Sequence, residues 1–107
     1  MICKRGEIVL IKFPFTTLLT SKKRPVLVIK DANGYGDFVC FQSTSKNRQL
    51  NTCKIEIENL SSGELKLRSY VKYDKCFTLN SELVEKKLAV VTDVFLNDMK
   101  QLFCNEL

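Results

Sequence analysis

Short apolar runs, each closed by a proline, a glycine or a cluster of Asn, Asp and Ser, fill most of this sequence. The longest of them, such as Val26 to Ile29 and Leu88 to Val91, are far too short for a membrane span. Runs of this kind, rich in β-branched residues and bounded by turn signals, read as strands. Gly6-Glu7-Ile8-Val9-Leu10-Ile11-Lys12-Phe13 is a β-branched run opened by glycine and reads as a strand, which Phe13-Pro14-Phe15 ends. Thr16 to Arg24 is polar and basic and reads as a loop. Val26-Leu27-Val28-Ile29 follows Pro25 as a near-continuous apolar strand, the pattern of a strand buried on both faces. The turn signal Asp31-Ala32-Asn33-Gly34-Tyr35-Gly36 then predicts a return strand from Asp37 to Thr44.

After a polar loop from Ser45 to Thr52, Cys53-Lys54-Ile55-Glu56-Ile57-Glu58 alternates with period two and predicts a strand with one wet face. Asn59 to Gly63 reads as a turn. Leu65 to Asp74 and Lys75 to Leu79 supply one or two further strands, and Ser81 to Lys87 a short helical turn. The period then changes. Phe95, Met99, Leu102 and Phe103 recur at i, i+4, i+7 and i+8, one face of a helix. Thr92 can cap that helix, and Asp93 sits near its positive end. The expectation is a mainly β chain of roughly five to seven short strands, a small curled barrel or sheet with a C-terminal α-helix over its open side. At 107 residues the chain, residues 1–107, fits a single domain. With 45% hydrophobic and 27% charged residues it is not a disordered chain. Lys4, Arg5 and Glu7 interrupt the start before any apolar signal region, so neither secretion nor membrane insertion is expected.

Charge narrows the partners. The formal net charge is +5, and it is uneven: residues 1–54 carry 10 basic and 3 acidic side chains, residues 55–107 carry 7 basic and 9 acidic. A concentrated positive field suits an acidic macromolecule, nucleic acid first among them. The absence of histidine removes the side chain best matched to proton transfer near neutral pH and the commonest metal ligand. Five cysteines, at 3, 40, 53, 76 and 104, are odd in number and widely spaced, with no C-x-x-C pair. A zinc site or a cysteine nucleophile is therefore not expected, and no metal or cofactor is implied. Cys40 and Cys76 lie in apolar runs and read as buried thiols in a reducing cytoplasm. Phe13, Phe15, Phe41, Phe77, Phe95 and Phe103 are assigned to the core. Tyr35, Tyr70 and Tyr73 can stack on bases or sit in half-buried strands.

Three polar clusters can carry chemistry. Lys22-Lys23-Arg24-Pro25 is a basic tip entering a buried strand, with proline fixing the backbone after a guanidinium suited to a bidentate grip on phosphate. The alternative is a solvated basic turn with an Arg–carboxylate pair. The hydroxyls of Ser43-Thr44-Ser45, where the return strand ends, can bond a phosphate or ribose oxygen, or satisfy loop backbone. Lys72 and Asp74 share a face if their strand is regular, either as proton acceptor with phosphate clamp or as a plain ion pair.

Taken in order, these elements resemble the MazF/PemK family of toxin endoribonucleases from bacterial type II toxin–antitoxin systems. Arg5-Gly6-Glu7-Ile8-Val9-Leu10 is similar to the family's R-G-[DE]-[IV] start, and Phe13-Pro14-Phe15-Thr16 to its first strand's exit. Lys23-Arg24-Pro25-Val26-Leu27-Val28-Ile29 resembles the R-P-[AV]-L-V-I strand, and Ser43-Thr44-Ser45 the [IV]-T-[ST] strand end. Val71 to Leu79 resembles the later V-[RD]-x-D-x-[IL]-x-T-[IL] string, so the likeness spans residues 5–103.

The resemblance implies an SH3-like small barrel with a C-terminal helix, assembled as a two-fold homodimer. It implies metal-independent cleavage of single-stranded RNA in the cytoplasm, and inhibition by a cognate antitoxin with an acidic, partly disordered tail. Arg24 matches the family's catalytic arginine, Thr44 its active-site threonine, and Asp74 the carboxylate that serves as base in the PemK-type branch. That branch has an arginine where this chain has Lys72. Some members carry a histidine or glutamate in the loop before the R-P pair; Phe15 to Lys23 contains neither. Lys22, Lys23, Ser43, Ser45, Lys46, Arg48 and Lys72 are the expected RNA contacts. Two other classes share the small-barrel expectation: a toxin that poisons DNA gyrase and cuts nothing, and a non-catalytic nucleic-acid-binding barrel.

Overall fold

Burial on both faces of the central strands sets the architecture. The computed structural model describes residues 2–12, 23–46 and 50–107. Its strands are β1 (Glu7–Lys12), β2 (Lys23–Lys30), β3 (Asp37–Thr44), β4 (Thr52–Lys54), β5 (Leu60–Gly63), β6 (Tyr70–Asn80) and β7 (Val84–Val91), followed by helix α1 (Asp93–Asn105). They form one antiparallel sheet in the order β4-β6-β3-β2-β1-β7-β5. In β2, Val26, Leu27 and Val28 are all buried, as the unbroken apolar run requires. The curled sheet carries an apolar cluster on each of its faces. Ile8, Leu27, Phe41, Val71, Ala89 and Val91 pack with Phe95, Leu96 and Met99 of α1. Cys3, Val9, Ile11, Val26, Val28, Phe38, Cys40 and Leu79 form the second cluster. The result is a curled half-barrel of seven strands with one C-terminal helix, the SH3-like shape expected.

The helix forms where its period predicts. Thr92 Oγ1 accepts from Phe95 N–H at 3.2 Å. Phe95, Leu96 and Met99 are buried, each worth about 1.5–3 kcal/mol of apolar burial. The Phe103 ring sits 5.4 Å from that of Phe41, tilted by 56°.

Several boundaries differ from the sequence expectation. Lys23 and Arg24 belong to β2, opposite Lys12 and Ile11, because pairing with β1 outweighs their polarity. The strand expected from Cys53 to Glu58 stops at Lys54, and Ile57–Asn59 is a short 3-10 turn. Asn59 Oδ1 accepts from Glu56 N–H at 2.8 Å, a local bond that competes with the ladder and leaves Ile57 90% exposed. Leu60–Gly63 is not a turn but an edge strand on β7. Gly63 permits it: a Cβ there would lie 2.5 Å from the Leu88 carbonyl oxygen, and φ is +76°. Ser81–Leu83 is the expected helical turn, but Val84 onward is strand. The stretch from Leu65 to Leu79 holds a single long strand, β6, beginning at Tyr70. Phe38 is buried although it was not among the expected core phenylalanines, Phe77 and Phe103 are only partly buried, and Phe13 and Phe15 lie outside the described residues. Cys40 is buried as expected, whereas Cys76 is exposed, because it flanks an irregularity in the β3–β6 pairing.

Candidate functional site

The β2–β3 ladder runs only as far as Val26 opposite Gln42. Pro25, which has no N–H to extend it, lies just beyond. β3 continues past that point along a different partner, with Ser43 opposite Val71 and Thr44 opposite Tyr70 on β6. Where β2 and β3 stop pairing, a cleft of about 610 Å³ opens. Lys23, Arg24 and Pro25 form one wall, and Gln42, Ser43 and Thr44 form the floor with Ser45 and Lys46 after them. Leu67, Arg68 and Ser69, just before β6, complete it.

Among the described residues the lining contains Lys23, Arg24, Lys46 and Arg68 and no carboxylate. Among the described residues, ion pairs join Arg5 to Asp31, Lys23 to Glu85, Lys54 to Glu56 and Lys87 to Glu7, and none engages Arg24, Lys46 or Arg68. The Lys23–Glu85 pair is long, 3.6 Å, and half-exposed, so it neutralises little of the field. The Arg–carboxylate pair weighed for Arg24 does not form among the described residues. Thr44 serves loop backbone: its Oγ1 accepts from Lys46 N–H at 3.2 Å. That bond uses an acceptor lone pair and leaves the hydroxyl proton to be given to another oxygen. The Ser43 Oγ is fully buried with no hydrogen-bond partner among the described residues.

Of the expected site residues, the cleft gathers Arg24, Thr44, Lys23, Ser43, Ser45 and Lys46. Asp74 and Lys72 are not in its lining. Phe41 pairs with Cys76 but the next residue, Gln42, pairs with Lys72, so Tyr73, Asp74 and Lys75 bulge from the β3 ladder. Asp74 is exposed, and its Oδ2 accepts from Asn51 Nδ2 at 3.4 Å, with Asn51 in the left-handed region at φ 58°. Lys72 stands opposite Gln42 on one side and Thr52 on the other, and no Lys72–Asp74 ion pair forms. Lys22 and Arg48 lie outside the described residues. Gln42, Leu67, Arg68 and Ser69 were not anticipated; only their partners in space bring them to the cleft. No three His, Cys, Asp or Glu side chains gather as a metal site among the described residues. Among these residues no helix is long and apolar enough to cross a membrane.

Similar proteins place this arrangement. The chain superposes on the MazE–MazF complex from Deinococcus radiodurans with a TM-score of 0.80 at 19% identity, covering 99% of this chain and 96% of the other. A mycobacterial endoribonuclease in complex with its cognate antitoxin gives 0.66 at 18% identity, covering 96% and 92%. The Mycobacterium tuberculosis toxin MazF-mt6 gives 0.68 at 15% identity, covering 92% and 93%. At these identities the likeness establishes the fold. No curated protein matches the sequence significantly. The family model of PemK-like, MazF-like toxins of type II toxin–antitoxin systems matches residues 4–106, and this chain is a member of that family.

Proposed function

We propose that this chain is a cytoplasmic endoribonuclease toxin that cuts single-stranded RNA at short sequences without a metal, arresting translation and growth. The observation that carries this reading is the cleft itself, where Arg24 and Thr44 converge among cations with no carboxylate among the described lining residues. Such a lining attracts a phosphodiester and repels nothing in it. The structural likeness to proteins named as endoribonucleases adds support.

In the proposed reaction the ribose 2′-oxygen bonds to the adjacent phosphorus and the P–O5′ bond breaks. The 2′-hydroxyl proton passes to a base, and the departing 5′-oxygen takes up a proton. The products are a 2′,3′-cyclic phosphate and a 5′-hydroxyl, and DNA is inert because it lacks the nucleophile. Arg24 holds the phosphate and stabilises charge growing on its non-bridging oxygens. Thr44 donates a hydrogen bond from its hydroxyl to the same phosphate. Asp74 is the carboxylate offered for the 2′-hydroxyl proton, from the bulge beside the cleft rather than within it, and Lys72 stands where a partner acid is expected. Lys23, Ser43, Ser45 and Lys46, with Lys22 and Arg48, guide the strand. The working unit in this reading is a homodimer of single-domain chains. A cognate antitoxin silences it by laying an acidic tail in the same cationic groove, as charge complementarity favours. The complexes of similar toxins with their antitoxins support that partner class.

The test is to incubate the purified protein with single-stranded RNA in EDTA and map the ends. Discrete cuts ending in 2′,3′-cyclic phosphate and 5′-hydroxyl are expected, with DNA of the same sequence untouched. Intact RNA, 5′-phosphate ends, or activity lost to EDTA would overturn the proposal.

A further inference from the structure

One wall of the cleft has no part in the roles above. Leu67, Arg68 and Ser69 reach it from the segment before β6, which lies on the other side of β3 from the β2 strand that carries Arg24. This segment is pinned. Ser69 is buried, its Oγ donates to the Leu67 carbonyl at 3.2 Å, and its own carbonyl accepts from Ile55 N–H at 2.9 Å. Held in this way, Leu67 is nonetheless 75% exposed, and Arg68 is exposed with no ion pair among the described residues. An apolar side chain beside a guanidinium unpaired among the described residues, both carried by a pinned segment that lines a cationic cleft, is a surface that nothing among those residues satisfies. Single-stranded RNA supplies both complements: a base face for the leucine and the guanidinium plane, and a phosphate for the charge.

We infer that Leu67 and Arg68 hold the base and phosphate one nucleotide beyond the pair joined by the scissile phosphate, as positioning residues rather than catalytic ones. This inference rests on the ribonuclease reading and adds a second grip to it. One cation at Arg24 fixes a phosphate; a second, on the segment before β6, fixes the direction and register of the strand that crosses the cleft. The contact is made equally in the ground and transition states, so its loss weakens binding and spares the chemical step.

The experiment uses the full chain, wild type and the variants Arg68→Ala, Arg68→Lys and Leu67→Ala. The probes are an RNA oligonucleotide carrying the mapped cleavage site, the same oligonucleotide with a 2′-deoxy nucleotide at that site, and the dinucleotide spanning the cut. Arg68→Ala is expected to raise KM, and Kd for the uncleavable probe, about tenfold, the size of one lost charge-assisted hydrogen bond. It should leave kcat within about twofold and lower the salt slope of binding by about one phosphate. Arg68→Lys restores the salt slope, Leu67→Ala weakens binding without changing it, and the dinucleotide, which does not reach this wall, is cut equally by all four proteins. An Arg68→Ala protein with wild-type KM and salt slope overturns the inference while the ribonuclease reading stands. A fall in kcat at unchanged KM overturns it too, by making Arg68 act on the reacting atoms. If the wild type neither binds nor cuts any of these RNAs, the ribonuclease reading fails first and this inference with it.

Discussion

Arg24 was legible as a residue because a sequence can display everything that distinguishes it: a guanidinium, a proline that fixes the next backbone unit, and an apolar strand that anchors both. Arg68 was not. It reaches the cleft only because β3 and β6 pair across a long stretch of chain, and no local pattern announces that meeting. Asp74 was legible as a carboxylate in a strand, but its position was not, since the bulge at Tyr73 to Lys75 breaks the alternation on which same-face reasoning depends. The two thiols read alike from sequence also part ways at this scale. Burial pushes the Cys40 thiol up from its ordinary 9.0 to about 12, with the neighbouring Cys76 and Cys3 thiols adding to the rise. The folded protein therefore holds the Cys40 proton after the unfolded chain has lost it. Stability from this group is fully present below about 9 and drains away as pH rises towards about 12. Urea unfolding across that range should show stability falling with pH, and Cys40→Ala should flatten the fall; an equal slope in both proteins would contradict the assignment.

At the scale of elements, helix α1 was the clearest feature in the sequence. Thr92, the i, i+4, i+7, i+8 face and the absence of internal glycine or proline all agree, and the helix forms with the predicted cap. Thr92→Ala removes the acceptor for Phe95 N–H and should cost about 1 kcal/mol, read as a lower urea midpoint with unchanged m-value. An unaltered midpoint would mean that packing against Phe41 and its neighbours, not the cap, decides where the helix starts. The edge strands were the least legible elements. β4 and β5 are only Thr52–Lys54 and Leu60–Gly63, too short to show a period. Gly63 and Asn59 gave turn signals that pairing with β7 and a local side-chain bond put to other uses. Central strands with buried faces declare themselves; strands that exist only because a neighbour accepts them do not.

For the whole molecule, the uneven charge of the chain pointed to an acidic macromolecule as partner, and the fold gathers part of that charge along one cleft. Lys23, Arg24 and Lys46 come from the basic half of the chain, and the curl of the sheet adds Arg68 from the acidic half while leaving every carboxylate of that half outside the lining. The cleft exists because β2 loses β3 at Val26 and Gln42 while β3 goes on beside β6. All of the proposed chemistry depends on the guanidinium at its lip. The most direct measurement is therefore the single-turnover rate of RNA cleavage in EDTA by the wild type, Arg24→Lys and Arg24→Ala. Arg24→Ala should fall by about 10²–10³-fold, the scale of one lost donor to developing charge. Arg24→Lys should fall between the two, keeping charge without the planar fork. Cleavage by Arg24→Ala at the wild-type rate would contradict the account.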